Sequence, residues 1–84
     1  VGNDAEALVK LGDIARNTDR PKTAAGYYER AIAARPGFAD AWMGLGKARL
    51  MRRDQAGALV ALKKALELGA SDPRLAALIQ KYGG

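Results

Sequence analysis

Apolar residues return every three or four positions along most of the chain, with polar residues between them. That is the period of an amphipathic helix, and no stretch shows the two-residue alternation of a half-buried strand. Leu8, Leu11 and Ala15 follow it first, with Gly12 on the same side. Asn3 followed by Glu6 fits a capping box, with Asp4 adding negative charge at the positive helix end. Asn17-Thr18-Asp19 breaks the pattern. Pro21 opens a second helix in its first turn, where its missing N–H does no harm. That helix runs through Ala24, Tyr28, Ala31 and Ile32 and stops near Arg35-Pro36-Gly37. A third is expected over residues 39–52, with Trp42, Leu45 and Ala48 on one stripe. Asp54 caps a fourth, whose expected inner face is Ala58, Leu62, Ala65 and Leu66, and Gly69 ends it in a left-handed turn. Asp72-Pro73 supplies cap and first-turn proline for a fifth. There Leu75, Leu78, Ile79 and Tyr82 fall at i, i+3, i+4 and i+7. Five helices, short connectors and no strand are expected.

A longer period lies over this one. A shift of 34 positions carries Leu11-Gly12 onto Leu45-Gly46, Ala24 onto Ala58, Ala31 onto Ala65, Ala5 onto Ala39 and Ala7 onto Ala41. A fixed period of this length marks stacked copies of one small unit, not a single closed core.

Composition narrows the chemistry. The 84 residues fit one domain, and 49% hydrophobic content, much of it alanine, favours closely packed helices over disorder. Cysteine and histidine are both absent, which removes disulfides, thiolate metal sites and the commonest general base. Asp4, Glu6, Asp40, Asp54 and Asp72 read as caps and first-turn charges, so no carboxylate pair is expected to do acid–base work. No catalytic, cofactor-binding or metal-binding residue is assigned, and the chain is read as non-enzymatic. Gly44-Leu45-Gly46-Lys47 lacks the spacing and the hydroxyl residue of a phosphate loop and lies mid-helix. No apolar run approaches the ~18 residues of a membrane span. The chain starts at Val1 and is read as a fragment of a longer protein. The formal charge of +5 points to acidic partners only if the cations gather.

The repeating positions resemble the tetratricopeptide repeat (TPR), W-x2-L-G-x2-Y followed by A-x3-F, a further alanine and a proline. Residues 5–38 supply Leu8, Leu11, Gly12, Ala24, Tyr28, Ala31 and Pro36, and residues 39–72 supply Trp42, Leu45, Gly46, Ala58, Leu62 and Ala65. The resemblance implies an all-α fold, an α-solenoid of two helical hairpins closed by a capping helix over 73–82. In it Gly12 and Gly46 sit where paired helices cross, with Ala24 and Ala58 as small partners. Trp42 and Leu8 fill the space between helices, and Ala31 and Ala65 leave room for the next unit to dock. A glycine inside a helix costs about 1 kcal/mol against alanine, so two at one register demand a packing reason. The family's tyrosine is replaced by Ala15 and Arg49; the Arg49 stem is expected to lie over apolar surface with its head in water. A third repeat would put glycine where Gln80 stands, so residues 73–82 are read as a cap, with a truncated third repeat as the alternative.

By the same resemblance, the first helices of successive hairpins line a concave groove that holds a partner helix or peptide. Its positions here are Val9, Asp13, Arg16, Met43, Lys47, Leu50 and Met51, with Glu6, Lys10, Asn17 and Asp40 at the margins. Val9, Met43, Leu50 and Met51 give an apolar floor, and methionine adapts to varied partners. The lysine–asparagine set with which some relatives clamp a chaperone tail is absent, since Val9, Asp13 and Gly44 occupy those positions. The alanine-rich style is similar to bacterial proteins that assemble envelope, secretion or pilus machinery, which leaves cytoplasm and periplasm both open. Two rival functions remain at this level: a structural role in which the outer face of the first helix stacks on another copy or on further repeats, and binding of an anionic partner through Arg16, Arg20, Arg49, Arg52 and Arg53. No aromatics are interleaved with those arginines, so nucleic acid is not expected. Cofactors are not expected.

Overall fold

A computed structural model describes residues 4–83. Among them are five α-helices and no strand: α1 (Ala5–Asn17), α2 (Pro21–Ala34), α3 (Ala39–Met51), α4 (Gln55–Glu67) and α5 (Pro73–Gly83). The connectors are a few residues long, so each helix must turn back against its predecessor. α1 packs on α2, α2 on α3, α3 on α4 and α4 on α5, with α1 also touching α3. The molecule measures 39 × 26 × 18 Å.

Helix boundaries follow local chemistry. Asp4 is the N-cap of α1 and its carboxylate accepts from the Glu6 N–H at 3.0 Å. The expected Asn3 cap lies outside the described residues. Asp54 caps α4 by accepting from the Gly57 N–H at 3.0 Å. Asp72 accepts from the Arg74 N–H at 2.9 Å ahead of Pro73. The ends of α1 and α3 repeat one turn: Asp19 and Arg53, 34 positions apart, both take positive φ, 60° and 63°. Arg20 N–H bonds Ala15 C=O at 2.8 Å, and Asp54 N–H bonds Arg49 C=O at 2.9 Å, the same bond one repeat later. Gly69, at φ 92°, does this work after α4 without steric cost.

The core is built largely of alanine around a few large side chains. Ala24, Tyr28, Ala31, Ala41, Ala48 and Ala61 are fully buried in its main cluster. A second cluster joins Leu62 and Ala65 of α4 to Leu75 of α5, with Leu78 and Ile79 packed against it. Trp42 touches both clusters, and its indole N–H reaches Pro36 C=O at 2.8 Å.

Three expectations are corrected here. Leu66 is 48% exposed rather than on the inner face, because α5 packs beside it on Leu62 and Ala65. Leu11 is 43% exposed, because no described helix lies on that side of α1. Arg49 does not leave its head in water: it donates to Gly57 C=O at 3.1 Å and pairs with Glu29 at 3.7 Å, tying α3 to α4 and α2.

Candidate partner-binding groove

The glycines set how closely the layers approach. A methyl group at Gly12 would fall 2.7 Å from the Tyr28 ring, and one at Gly46 would fall 2.7 Å from the Leu62 side chain. Gly12 therefore faces the large aromatic of α2, whose ring supplies the nearest atoms. Gly44 presses on the other side of the same ring. Tyr28 is thus held between bare backbone of α1 and α3 and is fully buried.

That hydroxyl reaches the groove. It donates to the Asp13 carboxylate, and Arg16 Nε donates to it at 3.2 Å. Arg16 and Asp13 also pair directly at 3.7 Å. Burial, then the bond to Asp13, push the phenol up to about 12, so it stays a neutral donor in ordinary buffers. Asp13 and Arg16 are therefore fixed from beneath as one unit.

Three hollows on this face share lining residues and run into each other. The first, of about 300 Å³, lies between α1 and the start of α3, with Val9 and Phe38 beneath Glu6, Lys10, Asp13 and Asp40. The second, of about 260 Å³, adds Met43, Gly44 and Lys47 opposite Arg16. The third, of about 480 Å³, passes from Arg16 and Lys47 over Leu50 and Met51 to Asp72, Arg74 and Leu78. Every sequence-derived groove residue, Val9, Asp13, Arg16, Met43, Lys47, Leu50 and Met51, lines one of these hollows. Met51 is the most open of the apolar ones at 42%. Of the marginal positions, Asn17 lines none of them.

The wall contributed by α5 was not anticipated. Asp72 pairs with Lys47 at 3.5 Å and with Arg74 at 3.9 Å. The Arg74 N–H, followed by the nearby Lys47 charge, holds the Asp72 carboxyl below the usual range. The signal was in the repeat, because one more shift of 34 from Glu6 and Asp40 lands on Arg74.

A tetratricopeptide-repeat family model matches residues 9–73. The chain belongs to the tetratricopeptide-repeat family. No curated protein matches the chain. TPR repeats mediate protein–protein interaction as non-enzymatic scaffolds and bind proteins or peptides. Among the described residues, no helix of this TPR chain is long and apolar enough to cross a membrane.

Proposed function

We propose that the face formed by α1, α3 and α5 binds a partner helix or extended peptide without chemistry, and that α5 serves as the cap of a two-repeat array. The observation that carries this reading is the continuity of the groove. Val9, Met43, Leu50 and Leu78 provide an apolar floor under a charged rim, the arrangement that gives a peptide both burial and register. The Tyr28–Asp13–Arg16 unit supports it further, since polar contacts fixed in advance cost less ordering on binding. The bacterial envelope, secretion or pilus assembly setting is proposed on the alanine-rich style of the repeats alone.

The test is a pull-down with the intact parent protein against a Met43→Glu, Leu50→Glu double variant. Both side chains are only partly buried, so the variant should keep its helical circular dichroism. It is expected to lose the partner; a folded variant that retains every partner overturns the groove reading.

A specific observation favours a second reading, assembly through α1. Ala41, Leu45 and Ala48 are covered by the neighbouring helix, at 0%, 2% and 0% exposure. The same register in α1 carries Ala7, Leu11 and Ile14, all exposed, Ile14 at 60%. That face suits another helical hairpin, from a second copy or a further repeat.

A further inference from the structure

The groove does not carry its charges evenly. At the α1–α3 end, the hollow is lined by the acids Glu6, Asp13 and Asp40 and by one cation, Lys10, while Arg35, outside that lining, pairs with Glu6. At the α3–α5 end, the hollow is lined by Arg16, Lys47 and Arg74 and by one carboxylate, Asp72, which pairs with Lys47 and Arg74. The sign also inverts at one register position of the repeat, from Glu6 and Asp40 to Arg74.

Helix capping explains only part of this. Glu6 and Asp40 lie in first turns, where a helix end favours negative charge. Asp13 lies well inside α1, and Lys47 well inside α3, where the dipole has no such influence. Arg74 lies in the first turn of α5, the end at which a cation is disfavoured. The half-charge at the start of α5 therefore adds to Lys47 and Arg74, and Asp72 alone offsets them. The half-charge at the start of α3 reduces the acidity of the other end, so the basic end is the stronger pole.

Internal pairing weakens the acidic end without abolishing the polarity: Glu6 pairs with Arg35 at 3.8 Å across exposed side chains, and Asp13 pairs with Arg16 at 3.7 Å. Arg16 is engaged by Asp13 and Tyr28. Lys47 and Arg74 share one carboxylate, which leaves capacity for a second. Among the described residues Asp40 has no ion-pair partner. The apolar floor of Met43 and Leu50 lies between the poles.

We infer that the groove takes a charge-polar segment of a partner protein in one orientation. The segment's acidic group lies against Lys47 and Arg74, an apolar residue rests on Met43 and Leu50, and a basic group lies over Asp40. This rests on the groove reading above and adds to it the class of ligand and the direction in which it lies.

The test uses blocked synthetic peptides of one composition, with acidic and basic residues either segregated at the two ends or alternating. They are titrated into the isotopically labelled 84-residue chain at low and high salt. The segregated peptide is expected to bind about five- to tenfold more tightly, with most of that advantage lost at high salt. A nitroxide at its acidic end should broaden the amides of Met51 and Leu78, and one at its basic end those of Val9 and Asp40. Arg74→Glu should remove most of the preference; the side chain is 85% exposed and glutamate suits a helix start, so folding is not at risk. Arg52→Glu, outside the hollows, should leave it unchanged. Equal affinities, the reversed broadening pattern, or no binding of the segregated peptide at millimolar concentration overturns the inference. Equal affinities with groove shifts would spare the groove reading, which falls only to the pull-down.

Discussion

Tyr28 concentrates several roles in one side chain. Its ring separates Gly12 from Gly44, and its hydroxyl orients Asp13 and Arg16 at the surface. The repeat pattern has phenylalanine at this position, which would fill the same space without the hydroxyl. Tyr28→Phe should cost about 0.5–1.5 kcal/mol in chemical denaturation, the usual net worth of a hydrogen bond. The pH dependence has a definite sign. Because burial raises the phenol from 10.0 to about 12, the unfolded state ionises first. Stability from this group is intact below pH 10 and falls as pH rises to about 12, and Tyr28→Phe should lack that decline. The glycines offer a sharper comparison. Gly44→Ala would drive a methyl into a ring with no room to retreat and should destabilise by about 1–3 kcal/mol despite better helix propensity. Gly26→Ala meets nothing within 4 Å and should stabilise by about 0.5–1 kcal/mol. Thermal melts of the pair check both signs.

At the scale of helices, α3 and α5 differ most. α3 is buried on two sides, so Ala41, Gly44, Leu45, Gly46 and Ala48 are all inside, and its apolar residues surround the axis instead of forming one stripe. The stripe of Trp42, Leu45 and Ala48 seen in the sequence was only part of its buried surface. α5 is the opposite case, a helix with one buried edge anchored by Leu75. Leu75→Ala should cost about 2–4 kcal/mol and should release α5 first, seen as lost amide protection over 73–83 before the other helices. Asp72 adds an acid limit to the same docking. Its carboxyl is held below the usual range by its role as a cap, so its contribution is present above pH 3.8 and lost as pH falls further. Asp72→Asn should flatten that acid limb of α5 protection.

For the molecule as a whole, the assembly reading is tested at the exposed face of α1. If Leu11 and Ile14 form a contact between copies, sedimentation at rising concentration should show a larger species, and Leu11→Glu, Ile14→Glu should abolish it. A strict monomer at every concentration would remove self-association and leave the α1 face to a different partner. The groove lies on another side of the same helix, so the double variant should leave peptide binding intact.

The 34-residue period and the helical spacing of apolar residues were sufficient for the all-helical repeat fold, because both are local or periodic facts. Caps at Asp54 and Asp72 were legible for the same reason, each resting on a bond within a few residues. The expected groove floor of Val9, Met43, Leu50 and Met51 came from the family resemblance, which says which face of each repeat lines the groove. Other features depend on which helices meet. Gly12 against Tyr28, Arg49 bridging to Glu29 and Gly57, and Arg74 beside Lys47 join residues from different helices, and no spacing along the chain encodes those distances. Leu11 and Leu45 make the point most directly: they hold the same place in the repeat, yet only folding determined that α2 would cover one and leave the other open.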